Sequence, residues 1–269
     1  MDSPSEPALD PDAPSYYRRL RPGCYQPTLH AQGAWSAKEQ HMGPVSGLLA
    51  HALETHEPRP DLQLCRITYE ILGMIAAEPT TVEVRTTRPG RTIELLEATA
   101  SVAGRTVVRA TAWRLSRQDT SAVAGGLPEA MPGPDGLPAW EGTAVWSGGY
   151  IRSLDARQVP GAEPGRARTW LRTEKSVVEG VESSPLARFV TLVDTANGVA
   201  TRVRPGEWLF PNTDLAIHLF RTPEPGWTGL DTTVTFGESG VGLTSSVLHD
   251  TRGPVGRAEQ ILTLRPAAR

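Results

Sequence analysis

The chain has 269 residues, 39% of them hydrophobic and 21% charged, with a formal net charge of −3. That is enough apolar material for a packed core in one large or two ordinary domains, and it excludes wholesale disorder. The basic residues are scattered singly, so no nucleic-acid footprint is expected, and no apolar run is long enough to span a membrane.

Residues 1–14, from Met1 to Pro14, are acidic and Pro-rich. They lack the basic and apolar regions of a signal peptide and read as a disordered tail. The first folded unit is expected over 15–118. In Gly43 to His56, Val45, Leu48, Leu49, Ala52 and Leu53 recur at helical spacing, which predicts an amphipathic helix ended by Pro58 and Pro60. Strands rich in Ile, Val, Thr and Leu follow at Leu62–Leu72, Thr80–Arg88, Arg91–Val102 and Arg105–Leu115. Pro89-Gly90 and Ala103-Gly104 supply turns between the last three. Cys24 and Cys65 fit no metal spacing and make no disulfide framework, so a reduced, cytoplasmic setting and no metal are expected.

Residues 119–149 carry Gly125 to Pro128 and Met131 to Gly136, a Gly/Pro density that defeats helix and central strand. This stretch reads as a linker to a second unit at 150–269. There a strand is expected over Ala167 to Val178. A helix follows from Ser184 or Pro185 to about Val203, with Ser184 as N-cap and Leu186, Phe189, Val190 and Val193 as its apolar stripe. Strands at Thr213–Arg221, Gly229–Phe236, Val241–His249 and Val255–Leu264 close the chain. Each half therefore reads as strand, helix, then a four-stranded meander. Arg109-Ala110 in the last strand of one half answers Arg257-Ala258 in the other. The fold class is α+β, with each helix packed on an antiparallel sheet and the two sheets able to join edge to edge.

Local motifs sharpen this order. Gln40-His41-Met42-Gly43-Pro44, leading into Ser46-Gly47-Leu48-Leu49-Ala50, resembles the helix start of the TesB-like acyl-CoA thioesterases, with Met42 where relatives usually carry Gly. Arg66 to Ile71, Arg88 to Arg91, Asp194-Thr195-Ala196-Asn197-Gly198, Asn212 to Leu215, His218 to Arg221 and Gly253 to Gln260 fall in that family's order. The resemblance implies a double hotdog fold and hydrolysis of an acyl thioester. It carries the family's acid onto Asp194, its small polar residue onto Asn212 (or Thr213, one position on) and its glutamine onto Gln260. His41, Gly43 and Thr213 are the expected substrate-binding positions. No cofactor is implied; the partner is an acyl-CoA or acyl-carrier-protein thioester, and a homodimer is compatible with the fold.

The chemistry is consistent with those residue types. A partly desolvated carboxylate at the margin of the helix's apolar stripe becomes a better base near neutral pH. The Asn212 and Gln260 amides both donate and accept, so they can hold a water against it. Direct attack by Asp194, giving an anhydride, is the open alternative. Aligning the repeats places Ala112 opposite Gln260 and Leu64 opposite Asn212, which predicts a single site per chain. Ser46 lacks the glycine two residues before it, and Ser239 the glycine two residues after it, that a nucleophile elbow needs. None of the six histidines follows an Asp by five residues, the hydratase pattern of this fold. A non-hydrolytic protein that binds or tailors an acyl or polyketide intermediate is the alternative function.

Overall fold

The computed structural model describes residues 9–267. The first half runs β1 (Ser15–Arg21), β2 (Cys24–Pro27), α1 (Met42–Thr55), β3 (Leu62–Ile71), β4 (Thr80–Arg88), β5 (Ile93–Val102) and β6 (Arg105–Ser116). The second runs α2 (Gly149–Arg152), β7 (Leu154–Gln158), β8 (Arg166–Thr173), β9 (Ser176–Val178), α3 (Pro185–Val193), α4 (Ala196–Val199) and β10 (Trp208–Leu209). It ends with β11 (Asp214–Leu219), β12 (Thr228–Phe236), β13 (Val241–Asp250), β14 (Gly253–Thr263) and β15 (Arg265–Pro266).

Thirteen strands form one sheet in the order β7-β8-β12-β13-β14-β11-β3-β6-β5-β4-β2-β1-β9. The double hotdog expected from the repeat is present, and β3 of one half pairs antiparallel with β11 of the other. The offset that superposes Arg109 on Arg257 also superposes Thr68 on Ala216. Those two residues face each other within that pair, which places the pseudo-two-fold axis there. The meander is shorter than expected. In each half the first post-helix strand lies beside the last, β3 against β6 and β11 against β14, because its connection to the next strand is too long for a tight hairpin.

The expected strand Ala167–Val178 is two strands. β8 pairs with β12 near one end of the sheet, and β9 pairs with β1 at the other. One short extended stretch therefore reaches both ends, and the sheet curls around the helices. Enclosure explains why α1 is not amphipathic: Met42 to Ala50 is buried all round. α1 crosses α3 closely because it carries Gly43 and Gly47. A Cβ on Gly47 would lie 1.9 Å from Thr191 Oγ1, and one on Gly43 would lie 2.6 Å from Thr191 O. At the other end of α1, buried Arg114 donates to the carbonyls of Leu53, His56 and Glu57 and pairs with buried Glu94 at 2.9 Å. It thus satisfies the orphan carbonyls and the negative end of the helix dipole together.

The second helix stops at Val193 rather than near Val203, and only the single turn α4 follows. Asp194, Thr195, Asn197 and Gly198 are weak helix formers. Trp146 also donates to Gly198 O at 2.9 Å, which holds the turn open. Residues 1–8 lie outside the described residues. Leu29 N–H donates to Asp10 O at 3.0 Å, and Ala13 is buried. Between the halves, Met131 and Trp146 are buried, and Trp170 donates to Pro132 O. No helix among the described residues is long and apolar enough to cross a membrane.

Candidate active site

Asp194 caps the C-terminus of α3, and only 4% of it is exposed. Its helix position was expected at the margin of an apolar stripe; ending the helix there turns the carboxylate toward the other half. Asn212 precedes β11, held by a bridge to Leu262, and Gln260 points inward from β14. Both donate to the same oxygen, Asp194 Oδ1, Asn212 at 2.8 Å and Gln260 at 2.9 Å. The second amide hydrogen of Asn212 goes to Asp214 O at 2.9 Å, so its orientation is fixed twice. Gln260 Oε1 is buried without a partner, an unused acceptor beside the carboxylate.

Oδ2 of Asp194 lies 3.5 Å from His41 Nδ1. This contact is not an ion pair. Gly43 N–H donates to His41 Nδ1 at 3.0 Å, so that nitrogen carries no proton, and burial holds the imidazole down to about 3. Burial pushes Asp194 up from 3.8 to about 7, against the lowering pull of the Asn212 and Gln260 hydrogen bonds. Its oxygens are thereby differentiated: Oδ1 is saturated by two amides, and Oδ2 is left as the basic one.

The His41 ring stacks on Tyr150, with centroids 4.1 Å apart. Tyr150 donates to Thr191 O at 2.8 Å and meets Thr195 Oγ1 at 2.8 Å, so it ties α1's entrance to the turn that carries Asp194. Sequence reasoning passed over this tyrosine at the boundary of the expected linker. The signal was Gly148-Gly149 just before it. Gly148 has φ +100°, and a Cβ on Gly149 would lie 1.7 Å from Leu29 O, so only glycine lets the chain cross there.

A cavity of about 610 Å³ opens at Asp194, and its lining includes Trp35, His41, Met42, Ile71, Asn212 and Thr213. Thr213 is exposed; its backbone links the halves, accepting from Ile71 N and donating to Ile261 O, both at 2.9 Å. Gly43 lies at the helix crossing and is not in the lining. Of the six expected residues, Asp194, Asn212, Gln260 and His41 thus meet in one cluster, and Thr213 borders its cavity. Ala112 and Leu64, the counterparts of Gln260 and Asn212, are buried apolar residues of the other half. Among the described residues no group of His, Cys, Asp or Glu side chains forms a metal site.

The acyl-CoA thioesterase N-terminal domain model matches residues 31–115, and the acyl-CoA thioesterase C-terminal domain model matches residues 126–264. A search of curated proteins found no match. Among solved structures the chain is similar to an acyl-CoA thioesterase II TesB2 of Mycobacterium marinum, at 20% identity and TM-score 0.65, covering 94% of this chain and 95% of that one. It is also similar to a hot dog protein of Alicyclobacillus acidocaldarius, at 15% identity and TM-score 0.73, covering 91% and 93% respectively. These neighbours speak to the fold, whereas the two domain models together span most of the chain. The protein belongs to the acyl-CoA thioesterase family, as a double hotdog thioester hydrolase.

Proposed function

We propose that Asp194 is the general base of this thioester hydrolase and that Asn212 and Gln260 hold it in place. The observation that carries this reading is the buried carboxylate raised to about 7 with one oxygen saturated and the other free. Oδ2 takes a proton from water as the water oxygen attacks the thioester carbonyl. Collapse of the tetrahedral intermediate breaks the C–S bond, and the thiolate recovers the proton from Asp194. The products are the carboxylic acid and the free thiol. The orphan acceptor Gln260 Oε1 offers the attacking water a second anchor. Met42, the first residue of α1, has an amide with no intrahelical acceptor and borders the cavity; with the helix dipole it supports the developing oxyanion.

A cavity of about 610 Å³ is of ligand size. Met42, Ile71 and Ile75 give it an apolar wall for the acyl group, and Arg265 sets a cation in its lining for the anionic carrier of the thiol. The test is thiol release from acyl-CoA and acyl-carrier-protein thioesters, followed by turnover in ¹⁸O-water. General-base attack puts the label in the released acid and leaves Asp194 unlabelled. Label in the Asp194 carboxylate would establish the anhydride route instead.

A further inference from the structure

A second concavity, of about 700 Å³, lies on the other face of the sheet. Arg257 contributes to its lining, whereas Gln260, three residues along β14, reaches Asp194 on the helix face. Odd spacing on a strand means opposite faces. The groove is therefore separated from the active site by the sheet itself.

Its floor is a single cross-strand row. Arg257 of β14 faces His218 of β11, His218 faces Arg66 of β3, and Arg66 faces Trp113 of β6. Two guanidiniums thus flank an imidazole on adjacent strands, with Arg66 and Arg257 roughly 10 Å apart at the backbone. Two like charges on one sheet face repel at this separation, and an anion held between them would offset that repulsion. No carboxylate among the described residues pairs with either arginine. The lining contains no carboxylate, and none of the ion pairs among the described residues includes Arg66, His218 or Arg257. Glu259, two residues along β14, accepts from Ser245 at 2.7 Å. Arg66 Nε is buried with no hydrogen-bond partner.

Beside this row the groove is apolar. Ile93, Leu115 and Phe220 line it and are 43%, 38% and 51% exposed. We propose that the groove binds a small amphipathic oxyanion, its head held between Arg66 and Arg257 and its apolar or aromatic body laid over Trp113, Ile93 and Leu115. A planar guanidinium with a free N–H is suited to a carboxylate or a phosphate alike. The volume lies in the ordinary range for small-molecule sites. The proposal does not depend on the assignment of Asp194.

The test is calorimetric titration of the full chain at low salt with two probes, dodecanoate and adenosine monophosphate. It is repeated on Arg66→Gln, Arg257→Gln and Asp194→Asn. At least one probe should bind the parent; each arginine substitution should weaken it about tenfold or more, and Asp194→Asn should leave it unchanged. Dodecanoate binding alone identifies a carboxylate ligand, and nucleotide binding alone identifies a phosphate. Absence of binding by both probes overturns the proposal, as does binding that survives both arginine substitutions. The proposal also fails if the parent is a dimer that Arg257→Gln dissociates and neither probe binds, because the face is then an interface between copies. Should a glutamine variant fold poorly, Arg66→Lys and Arg257→Lys keep the charge without the fork and should bind with intermediate affinity. Without ligand, Arg66→Gln should melt no lower than the parent, since it relieves the repulsion; a clear loss of stability would mean the arginine is a structural part of the sheet.

Discussion

Replacing Asp194 with Asn should raise the stability of the fold, by an amount that depends on pH. The asparagine Oδ1 can keep both amide donors, Asn212 and Gln260. Its Nδ2 takes the place of Oδ2, 3.5 Å from His41 Nδ1, and supplies a donor where the carboxylate put one acceptor against another. The folded state holds the Asp194 proton up to about 7, against an ordinary 3.8. A raised folded value favours folding fully below pH 3.8, and this preference is lost as pH rises through 7. The substituted protein has no such loss. The gap in its favour should open between about pH 4 and pH 7 and stay level above. At about 1.4 kcal/mol per pH unit, the interval from 3.8 to about 7 sets a ceiling on the order of 4 kcal/mol. Urea unfolding of both proteins from pH 5 to pH 9 measures it. A gap that does not change with pH, or a parent more stable than the variant at pH 8, would refute the burial argument.

Arg114→Met should cost about 3–5 kcal/mol in urea unfolding, because it leaves buried Glu94 only the Arg59 contact at 4.0 Å and uncaps α1. Adding Glu94→Leu should recover much of that loss. Gly47→Ala gains about 1 kcal/mol of helix propensity. The added methyl meets Thr191 Oγ1 at 1.9 Å and Ala187 O at 3.2 Å, so overpacking should win with a net loss of about 1–3 kcal/mol. Thr191→Ala in the same chain should restore part of it, read by thermal melts. Gln260→Leu and Asn212→Leu each remove a hydrogen bond that lowers the Asp194 pKa, so the acid limb of the pH–rate profile should move to higher pH. A limb that moves down would reverse the assigned role of these amides.

The repeat was legible because each half repeats one helix and four strands bounded by Gly/Pro turns. Even the register survived: the Arg109–Arg257 alignment places Thr68 on Ala216, and the two are paired. What escaped was non-local. Nothing in Arg166 to Val178 announces that its two parts pair with opposite ends of the sheet, because strand partners are set by closure of the whole sheet. The apolar pattern of α1 showed one stripe, whereas Ser46 and the two glycines let α3 bury the other side. The site divided in the same way. Motif order singled out Asp194, Asn212 and Gln260, which meet in the structure, but that both amides serve one oxygen depends on where the helix stops. Tyr150 was passed over at the first position after the segment read as a linker, although Gly148-Gly149 marked a tight crossing there.

The central claim is that a buried Asp194 supplies the base for thioester hydrolysis. The most direct measurement is kcat/KM for acyl-CoA hydrolysis from pH 5 to pH 9, in the parent and in Asp194→Asn. The account predicts an acid limb with its midpoint near 7, set by the raised carboxylate, and a fall of about 10²–10⁴-fold in the variant at pH 8. A variant as active as the parent, or a profile flat across that range, would contradict the assignment of the base while leaving the fold untouched.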